Sequence, residues 1–188
     1  ESAHSIRFLY HHFLSGITKK SLNVFYYACS YAKVDYSNFM NITARTALKL
    51  IPDPLKSHPV FLCIDDTMVS KFGKKFENVS KLFDHAAHNG SNYLNGHCFV
   101  SIMLCVPVLD HDKISYLSVP LGYRMWQKKE SKLELAASMI RQVMPEFLSK
   151  EHVIILCDSW YTKKNLVSII DEYPNLDLIG NARIDSVM

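Results

Sequence analysis

Apolar positions change their period once along the chain. In residues 5–51 they recur every three or four places: Ile6, Leu9, Tyr10, Phe13 and Leu14, then Leu22, Phe25, Tyr26 and Cys29, and more loosely Phe39, Ile42, Ala47 and Leu50. That spacing predicts amphipathic helices. Asp53-Pro54 ends the helical stretch and His58-Pro59 opens an extended one, because proline disfavours helix in the residue before it. Residues 60–64, Val-Phe-Leu-Cys-Ile, and 153–157, Val-Ile-Ile-Leu-Cys, are short unbroken apolar runs, as expected of strands buried on both faces. Residues 97–109 and 114–124 predict two more strands, joined by a polar hairpin turn at 110–113. Helices are predicted over 131–147 and from 162 to 172, a last strand over 177–180, and a short helix over 76–87 inside the polar stretch 67–95.

The order is helices, then β-β-β-α-β-α-β. Three strands can form an antiparallel meander and the later ones can add in parallel through helical crossovers. The expected fold is therefore α/β, a mixed sheet preceded by an N-terminal helical region, with domains 1–57 and 58–188. Within the first, the helical pair over 21–51, turning near 35–37, has the size of a helix-turn-helix and equally that of a plain packing unit.

Composition narrows this little. The chain has 188 residues, 48% of them hydrophobic and 21% charged, which excludes disorder and low-complexity structure. A net charge of +3 is too mild to establish a nucleic-acid partner. The longest apolar stretch, residues 99–109, is far short of the roughly 18–20 residues a membrane span needs. No targeting segment is visible, and five cysteines are an odd number for a disulfide framework. A cytoplasmic chain is expected. The lack of an initiator Met and the stop at Met188 without a closing element suggest a fragment.

The most informative feature is a likeness between two distant places. Ile64-Asp65-Asp66 and Cys157-Asp158 each carry a buried strand straight into acid. Ligands in open α/β sheets gather at the carboxyl ends of strands. If the two strands are parallel neighbours, their acids meet in one crevice, and two close carboxylates call for a divalent cation. Oxygen ligands favour Mg²⁺ or Mn²⁺ over zinc. Alternatively each acid caps a turn, and Asp158 could cap a helix starting near Thr162. Neighbouring strand residues face opposite sides, so only one of Asp65 and Asp66 can face Asp158, and periodicity does not choose between them.

Cys63-Ile-Asp-Asp-Thr-Met-Val-Ser-Lys-Phe-Gly-Lys-Lys75, then His88-Asn-Gly-Ser-Asn-Tyr-Leu-Asn-Gly-His97, resembles the catalytic domain of bacterial insertion-sequence DDE transposases. Leu156-Cys-Asp-Ser-Trp-Tyr161 and Ile179-Gly-Asn-Ala-Arg-Ile-Asp185 fit the same family, so the resemblance covers roughly residues 20–188. It implies an RNase H-like fold in which three acids bind two Mg²⁺ (or Mn²⁺) ions for DNA strand cleavage and transfer. It maps the first acid to Asp66 and the second to Asp158, with Asp65 beside the ligands rather than among them. It implies double-stranded DNA, the element's terminal repeats and its target, as partner, nucleoid association, and allows a homodimer. Two metals about 3.5–4 Å apart would activate the attacking oxygen and stabilise the leaving one, with no side-chain nucleophile. The third acid, a Glu on a later helix, would lie beyond Met188, whereas Glu130 and Glu134 precede Asp158 and occupy the wrong place. The chain alone is thus expected to be catalytically incomplete. The alternative is an inactive remnant that only binds DNA or another partner.

Lys71, Lys74 and Lys75 follow the first acid, and Arg124, Lys128 and Lys129 surround Trp126. With Arg183 they form the expected DNA contacts, through charge on phosphates and an aromatic face on a base. Lys81 and Lys132 belong to the same runs, which could equally be solvated faces. His85, His88 and His97-Cys98 lack the paired spacing of a zinc site, and adjacent acids are not the Asp-x-Asp of haloacid-dehalogenase-type phosphatases.

Overall fold

The computed structural model describes residues 5–73, 76–83, 92–148 and 150–181. By its contacts the chain forms two compact units, Glu1–Asp35 and Tyr36–Met188. The first is helical. Helix α1 (Ile6–Leu9) is capped by the Ser5 hydroxyl, which accepts from the Phe8 amide at 3.0 Å. It passes through a π-helical turn, Tyr10–Leu14, into α2 (Ser15–Ile17), and α3 (Leu22–Tyr31) follows. The Tyr10 ring meets Phe25 at 5.7 Å between centroids, and its hydroxyl donates to the Lys20 carbonyl.

The second unit begins with α4 (Tyr36–Lys49), which turns Met40, Ala44 and Ala47 inward. The sequence boundary at 57/58 thus differs from the contact boundary, because those three residues pack α4 with the sheet's own core. Among the described residues six strands follow: β1 (Val60–Ser70), β2 (Ser80–Phe83), β3 (Tyr93–Asp110), β4 (Lys113–Met125), β5 (Val153–Cys157) and β6 (Leu176–Gly180). β3 pairs antiparallel with β1 along one edge and with β2 and β4 along the other. β5 lies parallel to β1, and β6 parallel to β5. The order β4-β3-β1-β5-β6, three antiparallel strands followed by two parallel ones, is the RNase H-like arrangement.

The crossovers are helical. α5 (Lys132–Val143) links β4 to β5, while α6 (Lys164–Val167) and a 3₁₀ segment, Ser168–Glu172, link β5 to β6. On α5, Leu133, Ala136, Ala137, Ile140 and Val143 form one buried stripe that packs with Leu62, Ile64, Ile102, Leu104 and Ile155 of the sheet. The β3–β4 turn places His111 and Asp112 at φ 45° and 62°, the left-handed pair that suits a tight hairpin. A bulge between Ile102 and Met103 of β3 leaves Leu121 as the extra residue of β4, turned into the core.

Some elements differ from their sequence patterns. The first strand does not stop at Ile64 but continues to Ser70, because β3 pairs with it over the whole length. The short helix expected over 76–87 is not formed at 80–83, where β2 pairs with β3 and buries Leu82; residues 84–87 lie outside the described ones. The helix expected to 147 ends at Val143 and tightens to 3₁₀ over Met144–Glu146, since Pro145 has no amide to extend it.

Candidate active site

β1 and β5 run side by side only as far as Ile64 and Cys157. There β5 ends and the chain turns away, while β1 continues with β3 alone, Asp66 opposite Val100. Along β1 the even-numbered residues Leu62 and Ile64 are buried, and Asp66 follows them on that face. Asp65 points to the other face and is exposed; its carboxylate accepts from the Asp66 amide at 2.8 Å and its carbonyl from the Ser101 hydroxyl at 3.0 Å. The geometry thus chooses where periodicity could not: Asp66 shares a cleft of about 390 Å³ with Asp158. Lys132, Ser131, Trp126 and Trp160 complete its polar and aromatic wall, with Met68, Leu82 and Phe83.

Asp158 is held by its own turn. Its Oδ1 accepts from the amides of Trp160 at 2.9 Å and Tyr161 at 3.3 Å. It does not cap α6, whose N-cap is Lys163.

Among the described residues three donors contact Asp66. The Lys132 ammonium lies 2.6 Å from Oδ2, the Cys98 thiol 3.4 Å from the same oxygen, and the Tyr161 hydroxyl 3.3 Å from Oδ1. Burial works against the Lys132 charge, but its hydrogen bond to Asp66 and that acid's charge outweigh it and hold the ammonium above its ordinary pKa. Burial, reinforced by Asp66, pushes the Tyr161 hydroxyl up. The Cys98 thiol is pushed up to about 11, first by burial. The Lys132 ammonium also lies over the rings of Trp126 and Trp160, 5.5 and 5.2 Å from their centroids. Lys163 covers Trp160 as well, at 4.9 Å.

The expected DNA contacts divide. Trp126 lines the cleft, its indole N–H donating to the Glu130 carbonyl at 2.7 Å. Lys128, at φ 62°, donates to the Lys81 carbonyl at 3.2 Å and lies 5.8 Å from the Trp126 ring. Lys129 is exposed. Lys71 is half-buried, with its ammonium 5.7 Å from the Phe76 ring. Arg124 is elsewhere: it donates to Ser138 Oγ at 2.6 Å and to Gln142 Oε1, fastening β4 to α5. It lines a separate groove of about 430 Å³ with Tyr36, Met40 and Met139. Lys74, Lys75 and Arg183 lie outside the described residues, as do His85 and His88. His97 Nε2 faces the Glu77 carbonyl at 2.8 Å.

Sequence reasoning places Lys132 only in a charge run, and leaves Tyr161 and Lys163 without roles. Ser131-x-x-Glu134 was the available signal, since a capping box fixes Lys132 as the first residue of a helix. What could bind here is set by the donors. Two carboxylates face one cleft, all donors on them are oxygen, and one already attracts a cation; such a set fits a hard divalent ion, Mg²⁺ or Mn²⁺. Among the described residues no three His, Cys, Asp or Glu side chains converge.

No protein-family model matches the chain, and no curated protein sequence does. Among solved structures it is similar to the Drosophila P element transposase strand transfer complex, at 7% identity and a TM-score of 0.39, over 96% of this chain and 42% of that one. It is also similar to the Mos1 transposase paired-end complex with left transposon end, at 10% identity and 0.34, over 98% and 63%. The Mos1 strand transfer complex gives 9% and 0.30, over 98% and 62%. The chain spans less than two thirds of the length of each. Among the described residues no helix is long and apolar enough to cross a membrane.

Proposed function

We propose that the chain carries the first two acids of a DDE-type DNA transposase of an insertion sequence, Asp66 and Asp158. One observation carries this reading: the two acids, far apart in sequence, line one cleft at the place where β5 stops beside β1. Asp66 and Asp158 would hold Mg²⁺ or Mn²⁺, which would supply activation of an attacking oxygen and stabilisation of a leaving one at a DNA phosphate. The chain's own residues orient and bind. Tyr161 holds Asp66 from inside the core, the turn amides of Trp160 and Tyr161 hold Asp158, and Trp126 lies on the cleft wall for a base, with Lys128 beside its ring for a phosphate. Lys71 and Lys129 add charge for phosphates, while Arg124 is committed to the β4–α5 junction.

A second reading draws on the ion pair between Asp66 and Lys132, which gives that acid a partner without any metal. The protein would then bind DNA without cutting it.

Fluorescence anisotropy of a labelled duplex, titrated across salt with and without Mg²⁺, separates the two. A strand-transferase should bind more tightly with Mg²⁺, and Asp66→Asn or Asp158→Asn should remove that increment while leaving the salt slope unchanged. Binding that ignores both metal and substitutions supports the non-catalytic reading. No binding at moderate salt would overturn both.

A further inference from the structure

Lys132 is the first residue of α5. The amino end of a helix carries partial positive charge, so an ammonium there is disfavoured by its own helix. It is nevertheless fixed, by Asp66 at 2.6 Å and by two tryptophan faces, and only 18% of its side chain is exposed. Of the three donors on Asp66 it is the one able to leave. Tyr161 and Cys98 are buried at 0% and 1% exposure, whereas a lysine stem swings on several rotatable bonds. It is also the charged one. A divalent cation and an ammonium cannot share one carboxylate oxygen without strong repulsion.

We propose that Lys132 is a resident counter-ion which a divalent cation displaces from Asp66, so that metal binding at this acid is coupled to release of the ammonium from Trp126 and Trp160. This rests on the reading of Asp66 as a metal-binding acid. The coupling makes cation affinity a property of Lys132 as well as of the carboxylates.

The chain supplies its own reporter, because its two tryptophans are the two that Lys132 covers. Mg²⁺ is titrated into the protein while tryptophan emission and calorimetric heat are followed in parallel. The expected result is a saturable emission change with the calorimetric midpoint, lost in Asp66→Asn. Lys132→Met should bind Mg²⁺ about fivefold or more tightly and lack the emission change. Asp66-dependent binding with unaltered or weakened affinity in Lys132→Met overturns the displacement and leaves Asp66 as a metal ligand. Absence of Asp66-dependent Mg²⁺ binding in both proteins overturns the displacement and the metal reading together. Should Lys132→Met not fold, the wild-type titration decides: heat of binding without an emission change overturns the displacement.

Discussion

Tyr161 joins the core to the cleft. Its ring is fully buried and its hydroxyl reaches Asp66, so the two parts of the side chain have separable effects. Tyr161→Phe should cost about 1.5 kcal/mol, the low end for a hydrogen bond to a charged group, because the bond is long at 3.3 Å. Tyr161→Ala should cost about 3–5 kcal/mol through the cavity left behind. Urea unfolding of the pair measures both, and equal losses would show that the hydroxyl, not the packing, carries the residue. The thiols make a second case. Burial is the first cause that pushes Cys63 up to about 12, with Cys105 adding to it, and Cys98 and Cys157 up to about 11. Unfolded thiols ionise first, near the ordinary 9.0, so these groups favour the fold at lower pH and that contribution is lost as pH rises from about 9 to 11–12. A urea midpoint that does not fall over that range would contradict this. At neutral pH, alkylation followed by mass spectrometry should find exposed Cys29 modified well before those three.

α5 shows how a few residues place a functional group. The Ser131 hydroxyl accepts from the Glu134 amide at 3.1 Å, and the Glu134 carboxylate accepts from the Ser131 amide at 2.7 Å. Ser131→Ala should destabilise the protein by about 1 kcal/mol and blur the position of Lys132, which denaturation and the Mg²⁺ response of tryptophan emission would register. The hydrogen bonds from Ser131 lower the Glu134 pKa. That contribution is present above the ordinary 4.5 and is lost as pH falls through the lowered native value. The cap, the buried stripe of α5, both unbroken apolar strands and the hairpin are all readable in the sequence, because each is a local pattern. β2 is not, since Ser80–Phe83 buries only Leu82 and owes its extension to pairing with β3. Asp66 and Asp158 are legible as acids that follow apolar runs. Lys132 as the partner of Asp66 is not, because nothing near residue 132 says that the first turn of α5 comes to rest over β1.

The sheet as a whole depends on a close approach between β1 and β3. A Cβ built on Gly96 would meet the Val69 carbonyl oxygen at 2.3 Å and the Leu94 side chain at 2.9 Å. Gly96 pairs with Ser70 on one side and Ser80 on the other, so Gly96→Ala should disturb both neighbours. A loss of about 2 kcal/mol or more is expected for such overpacking against backbone, and an unaltered thermal melt would show that the strands can separate freely. The same glycine bears on the acids. β1 is apolar on both faces up to Ile64, and then presents two aspartates in succession. Slid by one place, it would offer Phe61 and Cys63 to the core and Asp65 to the cleft, with the same polarity as far as the acid. Up to the acid the strand's own chemistry therefore cannot tell correct alignment from its neighbour. Shape has to do so, and a notch that admits only bare backbone on the adjoining strand helps decide which carboxylate the cleft receives.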